Sequence, residues 1–93
     1  MPLFVLTCID KPGALSARMA AREAHLAYVR GSGAGKLGGP FLDERGEMVG
    51  SMLIIEAEDL AAARAFADAD PYLVAGVFQS VDVRPFRVTL GAL

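Results

Sequence analysis

Cysteine and histidine are each present once, as Cys8 and His25, and asparagine is absent. A lone cysteine has no intrachain partner, so no disulfide framework is expected, and the chain fits a reducing, cytoplasmic compartment. One histidine and one cysteine do not make a His/Cys metal cluster within a subunit, and the four cysteines of an iron–sulfur site are missing. Chemistry that needs a side-chain Asn is closed. No apolar run approaches the ~18 residues that a membrane span requires. The segment Met1-Pro2-Leu3-Phe4 has no basic n-region and enters a strand pattern directly, so it does not read as a secretory leader. The 9 basic and 11 acidic residues are spread along the chain, with a net charge of −2 and no basic block. That balance disfavours binding to nucleic acid or to an anionic lipid surface. A G-x-S-x-G nucleophile elbow is lacking. The run Gly31 to Lys36 fails as a phosphate loop: Arg30 stands where the first Gly is needed, Leu37 replaces the Ser or Thr, and the run follows a helix instead of a strand. The strand around Gly50-Ser51-Met52-Leu53 carries none of the aromatics on which an RNA-recognition sheet stacks bases.

What is present is apolar. The hydrophobic set makes up 54% of the 93 residues. A chain of this length is one domain, residues 1–93, and such a domain buries only about 60–70% of its unfolded surface. The excess predicts that some apolar surface is covered by a second subunit. Leu3 to Ile9 is a short apolar run and reads as a buried strand. Asp10-Lys11-Pro12-Gly13 reads as a turn. Residues 15–30 are free of Gly and Pro and rich in helix formers, and the glycines from Gly31 end that helix in a flexible loop. Lys36 to Leu42, with Gly38-Gly39-Pro40 inside it, reads as an edge strand. Asp43 to Gly46 reads as a hairpin turn, and Met48 to Ala57 as the strongest strand. Glu58 and Asp59 open a second helix, 59–68, where their charge complements the helix dipole. Asp70-Pro71 opens a short turn or helix that ends at Gly76. Val77 to Phe86 is the last strand, with Val81 and Val83 alternating against Asp82 and Arg84. The order β-α-β-β-α-β is the ferredoxin-like plan of the α+β class: a four-stranded antiparallel sheet with two helices on one face. The bare face then calls for a cover, and a homodimer in which two sheets face one another supplies it.

The residues that carry chemistry cluster on the first helix. At ~100° per residue, His25, Arg18, Arg22 and Val29 share an arc of about 60°. Leu15, Met19 and Leu26 continue from it, so the basic groups border the apolar stripe. Such a trio is also what an ordinary solvated helix face looks like. Asp70 likewise has a plain role as an N-cap with Pro71 at N1. The plain role of Ser51 is a small strand residue, and that of Tyr72 is a packing aromatic. Asp70 can hold two roles at once, one oxygen capping while the other accepts from an imidazole.

Several segments resemble one family, the YciI-like (YCII-related) domains. They are Arg22-Glu23-Ala24-His25-Leu26, Gly39-Pro40-Phe41, Gly50-Ser51, Ile54-Ile55-Glu56-Ala57-Glu58-Asp59, Asp70-Pro71-Tyr72 and Val81-Asp82-Val83-Arg84-Pro85-Phe86, in that order over nearly the whole chain. The resemblance implies a ferredoxin-like fold of the dimeric α+β-barrel type and a site made from His25 and Asp70. Some relatives are associated with cofactor-free elimination on small aromatic compounds. The expectation is a cofactor-independent, metal-free enzyme in which a His25–Asp70 pair transfers a proton on a small aromatic or anionic ligand. Arg22 and Arg18 would stabilise an oxyanion, and Ser51 and Tyr72 would line the pocket. The alternatives are a non-catalytic small-molecule-binding or sensing module and a structural dimerisation domain.

Overall fold

The computed structural model describes residues 1–93. Strand β1 (Leu3–Asp10) buries Phe4, Leu6, Cys8 and Asp10 on alternate positions, the period of two that places one side of a strand against a core. Helix α1 (Leu15–Ser32) follows, then β2 (Gly35–Leu42), β3 (Met48–Glu56), α2 (Leu60–Asp68), a one-turn α3 (Pro71–Val74) and β4 (Phe78–Phe86). All pairings are antiparallel and the strand order is β2-β3-β1-β4. This is the expected β-α-β-β-α-β plan, with the glycine-rich β2 on an edge. Its eight residues are all exposed, and an edge tolerates Pro40 and the weak packing of Gly38 and Gly39.

Helix α1 runs beyond the residues expected for it. Gly31 costs helix propensity but adopts ordinary helical angles, so it does not stop the chain. The stop comes at Gly33, whose φ of 69° is left-handed and suits a residue without a Cβ. Ser32 secures the exit: its hydroxyl donates to the Val29 carbonyl at 2.7 Å and accepts from the Ala34 amide at 3.1 Å. At α2, Asp59 caps the first turn by accepting from the Ala62 amide at 2.8 Å. The loop between α1 and β2 is thus only two residues, shorter than the five-residue glycine run suggests.

The helices lie on one face of the sheet. Strand register puts Phe4, Leu6 and Cys8 of β1 beside Ile55, Leu53 and Ser51 of β3 on that face. Ile55 and Val77 are fully buried, and Ala63 and Ala67 of α2, with Phe78 of β4, complete the core around them. Tyr28 of α1 donates to the Phe66 carbonyl of α2 at 2.7 Å, tying the two helices together. Met19, grouped with the apolar stripe of α1, is half exposed. On the other face, Val5, Thr7 and Ile9 lie beside Ile54, Met52 and Gly50. Leu37 and Phe41 extend this apolar surface onto β2. No helix is long and apolar enough to cross a membrane.

Candidate active site

Four elements converge beside the first half of α1. Strand β1 supplies Cys8 and Asp10, α1 supplies Arg18, Arg22 and His25, β3 supplies Ser51, and α3 supplies Asp70 and Tyr72. The sequence explains the placement of Asp70: Asp-Pro starts the short helix, and its Oδ1 accepts from the Tyr72 amide at 2.8 Å. The same Oδ1 lies 2.8 Å from His25 Nδ1, with Oδ2 at 3.0 Å. One oxygen therefore serves cap and imidazole together, in place of the expected division between two. The contact joins residues 45 positions apart, and both side chains are largely buried, 13% exposed for His25 and 6% for Asp70. The imidazole also stacks on Tyr72, with ring centroids 4.0 Å apart and planes inclined by 15°. Its second nitrogen, Nε2, has no hydrogen bond from the protein.

Arg18 is buried and its charge is committed. Nη1 donates to both oxygens of Asp10 at 3.0 and 3.1 Å, and Nη2 donates to Ser51 Oγ at 2.6 Å. Its guanidinium carbon lies 4.6 Å from the centroid of the Tyr72 ring, within cation–π range. Nε is buried without a partner. Arg22, by contrast, is exposed and makes no ion pair. The two arginines that sequence treats alike thus differ: one is a fixed internal cation, the other a free cation.

A cavity of about 280 Å³ opens between α1 and the β2–β3 side of the sheet. His25, Asp70, Tyr72, Arg18, Arg22 and Ser51 all border it. Its floor is Leu6, Leu53 and Gly38, and its outer wall is Leu26 and Val29. Gly38 keeps the floor low, since a Cβ there would run into the Leu53 side chain and lie 3.0 Å from the Met52 carbonyl oxygen. A hollow of this size, apolar with a few convergent polar groups, suits a small organic ring. Burial, followed by the nearby Asp70 carboxylate, pushes the Cys8 thiol up to about 12. The Tyr72 hydroxyl is also pushed up by burial, against the pull of the Arg18 and Arg22 guanidiniums. Both stay protonated near neutral pH, so Tyr72 can donate and Cys8 is a poor nucleophile. No three His, Cys, Asp or Glu side chains come together as a metal-binding group.

Asp10 was not legible as a site residue because Asp-Lys-Pro-Gly reads as a turn. The available signal was the alternation Phe4, Leu6, Cys8, Asp10, which carries the carboxylate onto the core face.

The profile of the YCII-related domain matches residues 2–87. The chain belongs to the YCII-related domain family. It is 39% identical over 94 residues to the protein YciI of Escherichia coli, covering 91% of this chain and 96% of that one. An uncharacterized protein of Haemophilus influenzae is 34% identical over 93 residues, covering 90% and 95%. Among solved structures, this YCII-related chain resembles the 5-chloro-2-hydroxyhydroquinone dehydrochlorinase of Burkholderia phenoliruptrix in complex with 2,5-dihydroxybenzoquinone. There the TM-score is 0.83 and the identity 34%, with 91% of this chain and 93% of that chain covered. An antibiotic biosynthesis monooxygenase, at TM-score 0.60 and 16% identity, shares the fold alone.

Proposed function

We propose that this YCII-related protein is a cofactor-independent enzyme whose His25–Asp70 pair moves a proton on a small hydroxylated ring compound, in a lyase-type elimination. The observation that carries this reading is the 2.8 Å approach of Asp70 Oδ1 to His25 Nδ1 at the wall of the cavity. Asp70 accepts a hydrogen bond from Nδ1–H, fixes that tautomer and leaves Nε2 as the basic nitrogen. An acidic O–H bond of the substrate breaks and its proton passes to Nε2. The electron pair left on oxygen forms a carbonyl, and the displaced double-bond pair takes the proton back from Nε2 at the ring carbon that bears the leaving group, which becomes tetrahedral. A second O–H proton then passes to Nε2, its oxygen becomes a carbonyl, and the shifting double bond expels the anion from the tetrahedral carbon. The products are the carbonyl compound, the anion and the proton, which leaves His25 to solvent. If the reaction stops at that first ketone, the same site catalyses an isomerisation. Asp70 stabilises the imidazolium between the two steps, and Arg22 offers its unpaired charge to the oxyanion. A positioned base contributes ~10²–10⁴ in rate, which suits an already acidic substrate. The 34% identity to a dehydrochlorinase favours elimination over isomerisation.

The working unit in this reading is a cytoplasmic homodimer formed through the apolar face of the sheet. The test of the reaction uses chlorinated hydroxyhydroquinones, with chloride release followed by a chloride electrode. Release is expected from the wild type and lost, by ~10²-fold or more, in His25→Ala and Asp70→Asn. Asn is itself a good N-cap, so Asp70→Asn is expected to fold. Tight binding of 2,5-dihydroxybenzoquinone with no chloride release from any member of the panel would make the protein a binding or sensing module. Neither binding nor release, with lowered melting temperatures only, would reduce the pair to a structural tie.

A further inference from the structure

Two carboxylates are buried at this end of the molecule, and the proposed proton transfer uses only Asp70. The other, Asp10, has a side chain 5% exposed and does not border the cavity. We propose that Asp10 is a positioning residue for the His25–Asp70 pair, acting through Arg18 and Tyr72. This rests on His25 being the base, but it concerns how the imidazole is held, not which compound it meets.

Every link of the path is a contact. Asp10 holds Arg18 Nη1 at 3.0 and 3.1 Å. Arg18 places its guanidinium carbon 4.6 Å from the Tyr72 ring centroid. Tyr72 stacks on His25 at 4.0 Å. Asp70 holds only Nδ1, so the imidazole can still swing about that hydrogen bond and carry Nε2 with it. The face of Tyr72 removes this freedom, and Tyr72 in turn rests on Arg18 and meets Phe78 edge-on at 5.7 Å. Arg18 stays in place only while its charge is compensated, because an unpaired buried guanidinium moves toward water or disrupts its surroundings. Ser51 Oγ, a neutral acceptor on Nη2, does not supply that compensation. Asp10 does, from the end of a strand paired on both sides with β3 and β4. The imidazole is thus fixed at its edge by α3 and on its face by a chain anchored in β1.

His25 is the only histidine, so its ring protons give an isolated pair of NMR signals. Their positions report the ring current of the stacked Tyr72. Asp10→Asn in the full chain is expected to displace both signals from their wild-type positions. Asp59→Ala, which removes the cap of α2 and touches none of these residues, is expected to lower the melting temperature and leave the signals in place. The double variant Asp10→Asn/Arg18→Met buries no net charge and keeps the test open if the single variant does not fold. Its signals are also expected to move, since Tyr72 loses the guanidinium. Signals that coincide with wild type in a folded Asp10 variant would overturn the inference. So would displacements that track the loss of melting temperature equally in Asp10→Asn and Asp59→Ala. Chloride release plays no part in this readout, so a failure of the proposed reaction and a failure of the positioning role are seen separately.

Discussion

At Asp70, Oδ1 accepts from the Tyr72 amide and from the His25 ring, and it does so 4% exposed. The residue survives as a cap when changed to Asn and loses its charge on the imidazole, which is why that substitution separates chemistry from folding. Cys8 makes the opposite kind of statement. Burial holds its thiol neutral, with the pKa pushed up to about 12 from an ordinary 9.0. The unfolded chain releases this proton more readily than the native one. The resulting stability is therefore complete below pH 9 and is lost as the pH climbs from 9 toward 12. Tyr28 and Tyr72, also raised by burial, act in the same direction above about pH 10. Urea midpoints measured from pH 8 to pH 11 should fall, and Cys8→Ala should flatten the first part of the fall. The same burial should leave the native thiol unmodified by iodoacetamide at pH 8 while the urea-unfolded chain reacts.

Among the elements, α1 gives a clean contrast between two glycines two positions apart. Gly31 sits within the helix, and a Cβ added there meets nothing within 4 Å. Gly33 has open space too, but its φ is 69°. Gly31→Ala should stabilise by about 0.5–1 kcal/mol through better helix propensity. Gly33→Ala should destabilise by about 1–2 kcal/mol through left-handed strain. Chemical denaturation of both variants checks the pair, and equal signs would contradict the assignment of the helix end. The same segment shows what sequence could and could not tell. Strand order and type were readable because β1 and β3 are short apolar runs, Val81 and Val83 of β4 alternate with Asp82 and Arg84, and β2 is poor in packing residues. The stop of α1 was not, because five closely spaced small residues give no cue to which one takes a positive φ. For the candidate site, His25 stood out as the lone imidazole, whereas Asp70 with its Pro neighbour read as a helix cap and joined the site only through the family resemblance. The distinction between Arg18 and Arg22 was hidden, since it depends on Asp10 arriving from another element.

For the whole molecule, the two faces of the sheet are unequal. Helices cover one, while the other presents Val5, Ile9, Met52 and Phe41, with Ile9 44% and Phe41 37% exposed. In the proposed homodimer this surface is shared by two copies, each of 9.8 kDa. Light scattering after size exclusion should give twice that mass for the wild type. Ile9→Asp puts a charge on this face and forfeits the ~1.5–3 kcal/mol that burial of one such side chain provides, twice over in a symmetric pair. The variant should therefore run as a monomer at micromolar concentration. A wild type that is monomeric at high concentration would remove this role from the face.

Helix α3 is a single turn, and the bond that starts it is made by the atom that also grips the imidazole. Fraying of Pro71–Val74 and detuning of the base are therefore one event. A ligand that tightens the grip on His25 should slow amide hydrogen exchange at Tyr72, on an element it need not touch.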